Sequence, residues 1–164
     1  MSGDQRESPA ELTFMMGQFA ALVPTDRLYA RNHMWAKLQD GDSPAAGQIR
    51  FGFTAYAVRL LQDVYFLEWS VDAGSVVREK QQIGAIESKK AESDLYAPLP
   101  GIVTEFNGEL LADPTAINVD KYGRGWLFEM SAASAALMTA QKYLEHLASV
   151  WEVTQRTIKG QLNE

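Results

Sequence analysis

Two adjacent lysines lie in the middle of the stretch Ile83-Gly84-Ala85-Ile86-Glu87-Ser88-Lys89-Lys90-Ala91-Glu92-Ser93-Asp94-Leu95-Tyr96-Ala97-Pro98-Leu99-Pro100-Gly101. Short strand-like runs flank this polar centre and a Pro/Gly turn follows. The pattern predicts a β-hairpin with lysines at its tip. A lone exposed lysine is ordinarily a solubilising charge, and lysines on sheet edges also block edge-to-edge pairing. The other polar groups narrow the chemistry. The chain has no cysteine, which excludes disulfides, thiolate metal sites and cysteine nucleophiles, so any thiol chemistry must come from a cofactor. His33, beside Trp35, reads as a packed, hydrogen-bonded residue, His146 as a solvent-facing residue on a helix, and no metal cluster is expected. Gly123-Arg124-Gly125 reads as a loop, because it lacks the strand, Gly-rich turn and helix of a phosphate cradle.

The elements that must position these residues come from the rest of the chain. Its 164 residues suit about one domain, and 46% hydrophobic content is enough to bury a core. A net charge of −6 without a basic run argues against nucleic acid and fits poorly with anionic lipid. No apolar stretch approaches the ~20 residues that span a bilayer. The first seven residues contain acids and no apolar run, so no secretory signal is expected and the expected setting is cytoplasmic.

Ser8-Pro9-Ala10-Glu11 has the form of a capped helix start, with Leu12, Met15, Met16, Phe19, Leu22 and Val23 at helical spacing and Pro24 as the stop. Residues 33–106 then change to short β-rich runs punctuated by turns such as Asp40-Gly41-Asp42 and Asp72-Ala73-Gly74. Short helices are expected over 54–61, capped by Thr54, and over 107–112, before Asp113-Pro114. Tyr122-Gly123-Arg124-Gly125 precedes a last strand, Trp126 to Met130. From about Ser134 to Lys159 the pattern is helical again. Leu137, Ala140, Leu144, Leu147, Trp151, Thr154 and Ile158 form a heptad-like seam, and Gly160 is the expected end. That seam packs on the β body or serves as a dimer or partner interface.

Glu87-Ser88-Lys89-Lys90-Ala91 followed by Ser93-Asp94-Leu95-Tyr96-Ala97-Pro98 resembles the lipoylation site of glycine cleavage system H proteins. The similarity continues through Val23-Pro24, Tyr29, His33-Met34-Trp35, Gly52-Phe53-Thr54, Asp113-Pro114, Ile117-Asn118 and Tyr122-Gly123-Arg124-Gly125-Trp126-Leu127-Phe128, from about Val23 to Met130. The resemblance implies a lipoyl domain over 23–130, the flattened barrel or sandwich hybrid shared by biotinyl and lipoyl domains, two small antiparallel sheets with the modified lysine at a β-turn. With the helical periodicities at the two ends, the expected fold is mainly β with flanking helices: an N-terminal helical extension (1–22) and a C-terminal helix (131–164). These two helices are additions to a minimal member of the family. The family's pentapeptide puts the acceptor fourth, which implies Lys90 as the site of amide-linked lipoic acid, with Glu87, Ser88, Ala91 and Asp94 around it. Biotin carriers are less similar, since their lysine lies between methionines.

The same resemblance exposes a departure. In H proteins that shuttle aminomethyl groups, a Ser-His-Glu-Trp segment and an aspartate four residues after the lysine hold the loaded arm in a cleft. Here the segment is Asn32-His33-Met34-Trp35, with Asp94 retained. A methionine offers only a weak acceptor where an ammonium needs a carboxylate.

The chain is therefore expected to be a carrier, not an enzyme, loaded by a lipoate ligase or lipoyl transferase. Three readings follow. The first is a diverged, H-like lipoate-binding protein of sulfur oxidation, serving a heterodisulfide-reductase-like complex; Asn32, Met34 and the added helices favour it. The second is an ordinary H protein docking with glycine decarboxylase, aminomethyltransferase and dihydrolipoyl dehydrogenase. The third is an unmodified lipoyl-fold binding module.

Overall fold

The computed structural model describes residues 10–39 and 46–162. The chain runs β1 (Glu11–Met16), β2 (Phe19–Pro24), β3 (Leu28–Tyr29), β4 (Met34–Leu38), β5 (Gly47–Phe53), α1 (Ala55–Leu61), β6 (Phe66–Trp69), β7 (Val76–Val77), β8 (Gln82–Glu87), β9 (Glu92–Tyr96), β10 (Gly101–Phe106), α2 (Glu109–Ala112), α3 (Ala116–Val119), β11 (Phe128–Ala132) and α4 (Ala140–Leu162). Every strand pairing is antiparallel. Three sheets result: a six-stranded sheet in the order β3-β4-β5-β11-β10-β7, a three-stranded sheet β6-β8-β9, and the β1-β2 hairpin. The two larger sheets form the lipoyl-type sandwich expected from the sequence, and they do not close into a barrel.

The sandwich core joins Met34, Ile49, Phe51, Ile83, Ile86, Val103, Leu127 and Phe128, all almost wholly buried. In β8 the two buried isoleucines are three residues apart, which strict alternation forbids. A register shift between Gln82 and Gly84 supplies the extra residue that returns Ile86 to the inner face. Gly84 sits at that shift, where a Cβ would stand 2.6 Å from the Glu68 carbonyl oxygen.

A second cluster lies outside the sandwich. It holds Met16, Ala21, Val23, Tyr29, Trp35, Tyr56, Tyr143 and Leu147, contributed by the β1-β2 hairpin, the edge of the large sheet, α1 and α4. Strand β4 is therefore buried on both faces. Met34 and Ala36 belong to the sandwich core, and Trp35 belongs to the second cluster.

Where the N-terminal helical extension is expected, the described residues from Ala10 on form a β-hairpin and no helix. Leu12 and Phe14 pack against the second cluster and Met16 is buried within it, while Met15 and Leu22 are exposed. Leu12 and Met16 in one strand, and Phe19 and Val23 in the other, satisfy a period of two as well as a helical one. Gly17 decides between them. It has φ +63° at the first position of the two-residue turn between Met16 and Phe19, the type II′ arrangement that fits hairpin twist. The boundary at residue 22 also falls inside β2, where Leu22 and Val23 pair with Thr13 and Leu12. Ser8, Pro9 and the Asp40-Gly41-Asp42 turn lie outside the described residues.

The other helices follow the sequence more closely. Thr54 caps α1 by accepting the Ala57 N–H at 3.3 Å. Helix α2 ends before Asp113, as expected, but starts at Glu109 rather than Asn107. Helix α4 begins six residues later than expected, because Tyr29 and Met138 exchange backbone hydrogen bonds that hold the preceding segment extended. Thr139 then receives the Lys142 N–H and starts the helix. The helix also continues through Gly160 to Leu162. Its seam, at Ala140, Tyr143, Leu144, Leu147 and Trp151, covers the hairpin and β3. Among the described residues, no helix is long and apolar enough to cross a membrane.

Candidate functional site

The hairpin tip is the turn between β8 and β9. Glu87 and Glu92 form its last register pair, and Ser88, Lys89, Lys90 and Ala91 make the turn. The Ser88 N–H donates to the Ala91 carbonyl at 2.8 Å, and the Ala91 N–H returns to Ser88 Oγ at 3.2 Å. Ser88 is buried, while both lysines are exposed.

The tip does not stand free. It is docked on the C-terminal end of α1. The Lys89 N–H donates to Gln62 O at 2.9 Å, the Lys90 N–H to Leu61 O at 3.2 Å, and Ser88 Oγ to Leu61 O at 2.7 Å. The last carbonyls of a helix have no partner within it, and here the turn satisfies those of Leu61 and the cap residue Gln62. Gln62 and Asp63, with φ of 55° and 50°, turn the chain sharply out of the helix. The backbone of the tip is thus fixed while the lysine side chains extend into solvent. Sequence reasoning missed this clamp, because nothing local in Leu61-Gln62-Asp63 signals a partner 27 residues away.

Beside the tip a cleft of about 250 Å³ opens between the end of α1, strand β9 and the loop before β4. Asn32, His33, Met34 and Asp94, the four residues expected to form a cargo cleft, all line it, with Phe53, Leu60, Ile86 and Leu95 as its apolar walls. Their states differ. Asp94 is exposed and accepts from Gln82 Nε2 at 3.1 Å and from the Tyr96 hydroxyl at 3.3 Å. Asn32 Nδ2 donates to Tyr96 O at 3.1 Å, tying the loop to β9. Met34 is only 1% exposed and sits opposite Phe53 in the register, so it is a core residue whose surface forms part of the wall.

His33 is half-buried with φ 70°, a left-handed backbone uncommon outside glycine. Hydrogen bonds hold it there: its N–H donates to Ala30 O at 3.1 Å, and its carbonyl accepts from Thr54 N at 3.1 Å. Its ring Nδ1 lies 2.9 Å from the Tyr143 hydroxyl of α4. Burial, and then the neighbouring His146, push its pKa down to about 4. The packed reading of His33 is borne out. His146 is not simply solvent-facing. It is half-buried, stacks on His33 with ring centroids 5.6 Å apart, and its Nε2 lies 3.3 Å from Arg31 O.

The Gly123-Arg124-Gly125 loop closes on Asp120, whose carboxylate accepts the Arg124 N–H at 2.9 Å and whose carbonyl accepts the N–H groups of Gly123 and Gly125. Its donors are occupied, which leaves no anion cradle. Among the described residues, no three His, Cys, Asp or Glu side chains come together in a way that could hold a metal ion.

An exposed amine on a clamped turn, next to a narrow apolar cleft with a carboxylate at its wall, suits a covalently tethered arm that can rest against the protein. The comparisons agree with this geometry. The family model described as Glycine cleavage H-protein matches residues 27–150. The glycine cleavage system H protein of Psychrobacter cryohalolentis is 40% identical over 129 residues, covering 76% of this chain and 98% of the relative. That of Mycolicibacterium vanbaalenii is 39% identical over 133 residues, covering 77% and 97%. The crystal structure of a glycine cleavage system H protein from Mycobacterium marinum superposes with a TM-score of 0.66 at 34% identity, covering 77% of this chain and 98% of that one.

Proposed function

The chain belongs to the glycine cleavage H-protein family, and we propose that it carries lipoic acid on Lys90 and serves glycine cleavage as an aminomethyl carrier. H proteins are lipoyl carriers rather than catalysts, with lipoate attached covalently to a lysine. The observation that carries the carrier reading is the docked turn, which holds both lysines; the family's pentapeptide, with the acceptor fourth, selects Lys90 over Lys89. An attaching enzyme must reach an ε-amine whose backbone does not move, and the α1 clamp holds that backbone while leaving the side chain in solvent. When attached, the lipoyl group supplies the dithiol that the chain's own residues cannot, since the sequence has no cysteine.

Acylation removes the lysine charge, so the tethered arm enters the apolar cleft without burying an ammonium of its own. Phe53, Leu60 and Ile86 would cover the arm, and Asp94 lies on the wall to meet a cationic cargo. Tethering also raises the effective concentration of cargo at each docked partner. The partners in this reading are a lipoate ligase or lipoyl transferase, then glycine decarboxylase, aminomethyltransferase and dihydrolipoyl dehydrogenase.

The sulfur-oxidation reading finds no support in the family match or in the relatives. The burial of Met34 also weakens its main argument, because a side chain this enclosed reports on core packing as much as on cargo.

Intact mass and peptide mapping of protein made in lipoate-replete cells test the carrier role. The expected result is one lipoyl amide on Lys90, lost in Lys90→Arg and kept in Lys89→Arg. An unmodified Lys90 overturns the assignment. Glycine-dependent CO2 exchange with a glycine decarboxylase tests the cargo, and the lipoylated protein is expected to support it.

A further inference from the structure

An open sheet ends in edge strands whose outward backbone groups can pair with another chain, and proteins blunt such edges by shortness, charge or cover. Most edges here are blunted. β3 and β7 are two residues long, and Tyr29 of β3 is already bonded to Met138. β6 packs against α2. β9 carries Glu92 and Asp94, and Asn32 holds its end through Tyr96 O. β1 is different. It is six residues long, its pairing with β2 has no register shift, and Leu12 to Met16 are uncharged.

The hairpin's own pattern shows which groups of β1 point outward. Met16 and Phe19 close a two-residue turn, so hydrogen-bonded pairs recur at every second residue from there. Met16, Phe14, Leu12 and Ala10 face β2, and the Thr25 N–H on Ala10 O at 3.0 Å continues the series. On β2 the alternate carbonyls, those of Leu22 and Pro24, turn away from β1 and accept the hydroxyls of Tyr122 and Tyr29. Side chains thus close the far edge of the hairpin. On β1 the corresponding groups belong to Glu11, Thr13 and Met15. All three residues are exposed, and among the described residues their outward N–H and C=O groups have no partner.

We infer that β1 is a pairing edge for a second copy of this chain, joined antiparallel about a two-fold axis at Thr13. The strand is self-complementary in that register, which favours a second copy over an unrelated strand. Thr13 of one copy meets Thr13 of the other, and Glu11 meets Met15 in both directions. Every outward residue of both copies is then used, and each pair exchanges two backbone hydrogen bonds. No like charges stand opposite each other, whereas an axis at Glu11 would oppose two carboxylates. On the side facing α4, Leu12 of each copy meets Phe14 of the other. Both are only partly buried within one copy, at the rim of the second cluster, so pairing covers apolar surface that one copy leaves open. The product is a four-stranded sheet in the order β2-β1-β1-β2, with both α4 helices on one face.

Sedimentation of the full-length lipoylated protein over a range of concentrations should show a doubling of mass. The chain has no cysteine, so a single introduced cysteine reports the register. Cα atoms of a hydrogen-bonded antiparallel pair stand about 5.5 Å apart, within disulfide reach. Thr13→Cys should therefore cross-link to itself under mild oxidation. Glu11→Cys should do so at least about tenfold more slowly, because its two copies would lie four positions, about 14 Å, apart. Thr13→Pro removes an outward donor and none of the hairpin's own bonds, a change that edge strands tolerate. It should weaken the dimer about thirtyfold, the scale of two lost backbone hydrogen bonds, while Lys90 is still lipoylated. Thr13→Lys alters no backbone bond but sets like charges opposite each other, and should weaken the dimer about threefold. A protein that stays monomeric at every concentration overturns the inference and leaves the edge to a different strand. Equal cross-linking of the two cysteine variants, or a dimer indifferent to both other changes at Thr13, overturns it as well. The carrier reading stands in either case.

Discussion

The sandwich core and the outer layer of hairpin plus α4 are both buried, but they are built from different materials. The sandwich is largely aliphatic, with Ile49, Ile83, Ile86, Val103 and Leu127 around the stacked rings of Phe51 and Phe128. The outer layer is aromatic, with polar heads that need partners. The Tyr29 hydroxyl donates to Pro24 O, the Trp35 Nε1–H to Lys121 O, and the Tyr122 hydroxyl to Leu22 O. Buried polar groups are tolerated only when satisfied, so this layer fixes orientation as well as filling space. The difference separates two duties. The sandwich holds the Lys90 turn, while the outer layer sets His33 at the cleft.

Paired truncations in the two layers would break that division most sharply. Phe128 is fully buried between Phe51 and Trp69. Phe128→Ala should cost about 3–5 kcal/mol and take lipoylation with it. Leu147 is equally buried, but in the outer layer. Leu147→Ala should cost about 2–4 kcal/mol, yet Lys90 should still be lipoylated in the folded fraction. Urea unfolding and intact mass measure both effects. If Leu147→Ala abolishes lipoylation at temperatures where the protein stays folded, the layers do not act separately.

A smaller change sharpens the comparison at the tip itself. Ser88→Ala removes the bond to Leu61 O and the return bond from the Ala91 N–H. It should cost about 1–2 kcal/mol, mostly as local opening. Amide hydrogen exchange at Lys89 and Lys90 should quicken, with Tyr29 and Tyr143 unaffected. Unchanged exchange at the lysines would mean that the α1 clamp does not depend on Ser88.

What the sequence disclosed divides along the same line. The lysine turn, the Thr54 cap and the strands of the sandwich were legible because each is a local pattern of turn residues, caps and β-branched runs. The hairpin over residues 11–24 has no distinct local signal, since Leu12, Met16, Phe19 and Val23 fit a helix as well as a strand. The left-handed turn at Gly17 and the packing of the hairpin against α4 decide between them. The start of α4 moved because Met138 pairs with Tyr29, a contact without local signature. The four cleft residues were found by resemblance. The partner of His33 was not, because Tyr143 lies 110 residues away.

The smallest expected effect concerns what holds the tip hairpin together. Glu87 and Glu92 lie directly opposite each other next to the turn, and like charges in that position oppose pairing. Glu92→Lys replaces repulsion with attraction and should stabilise the protein by about 0.5 kcal/mol at low ionic strength. Both side chains reach solvent, so the gain should shrink toward zero near 1 M salt, where the screening length falls to about 3 Å. Urea unfolding at two salt concentrations measures it, urea being uncharged. A gain that salt does not reduce would point to packing against Phe66, which faces Glu87 from β6. No gain at all would mean that the α1 clamp, rather than cross-strand pairing, already determines the register of the turn.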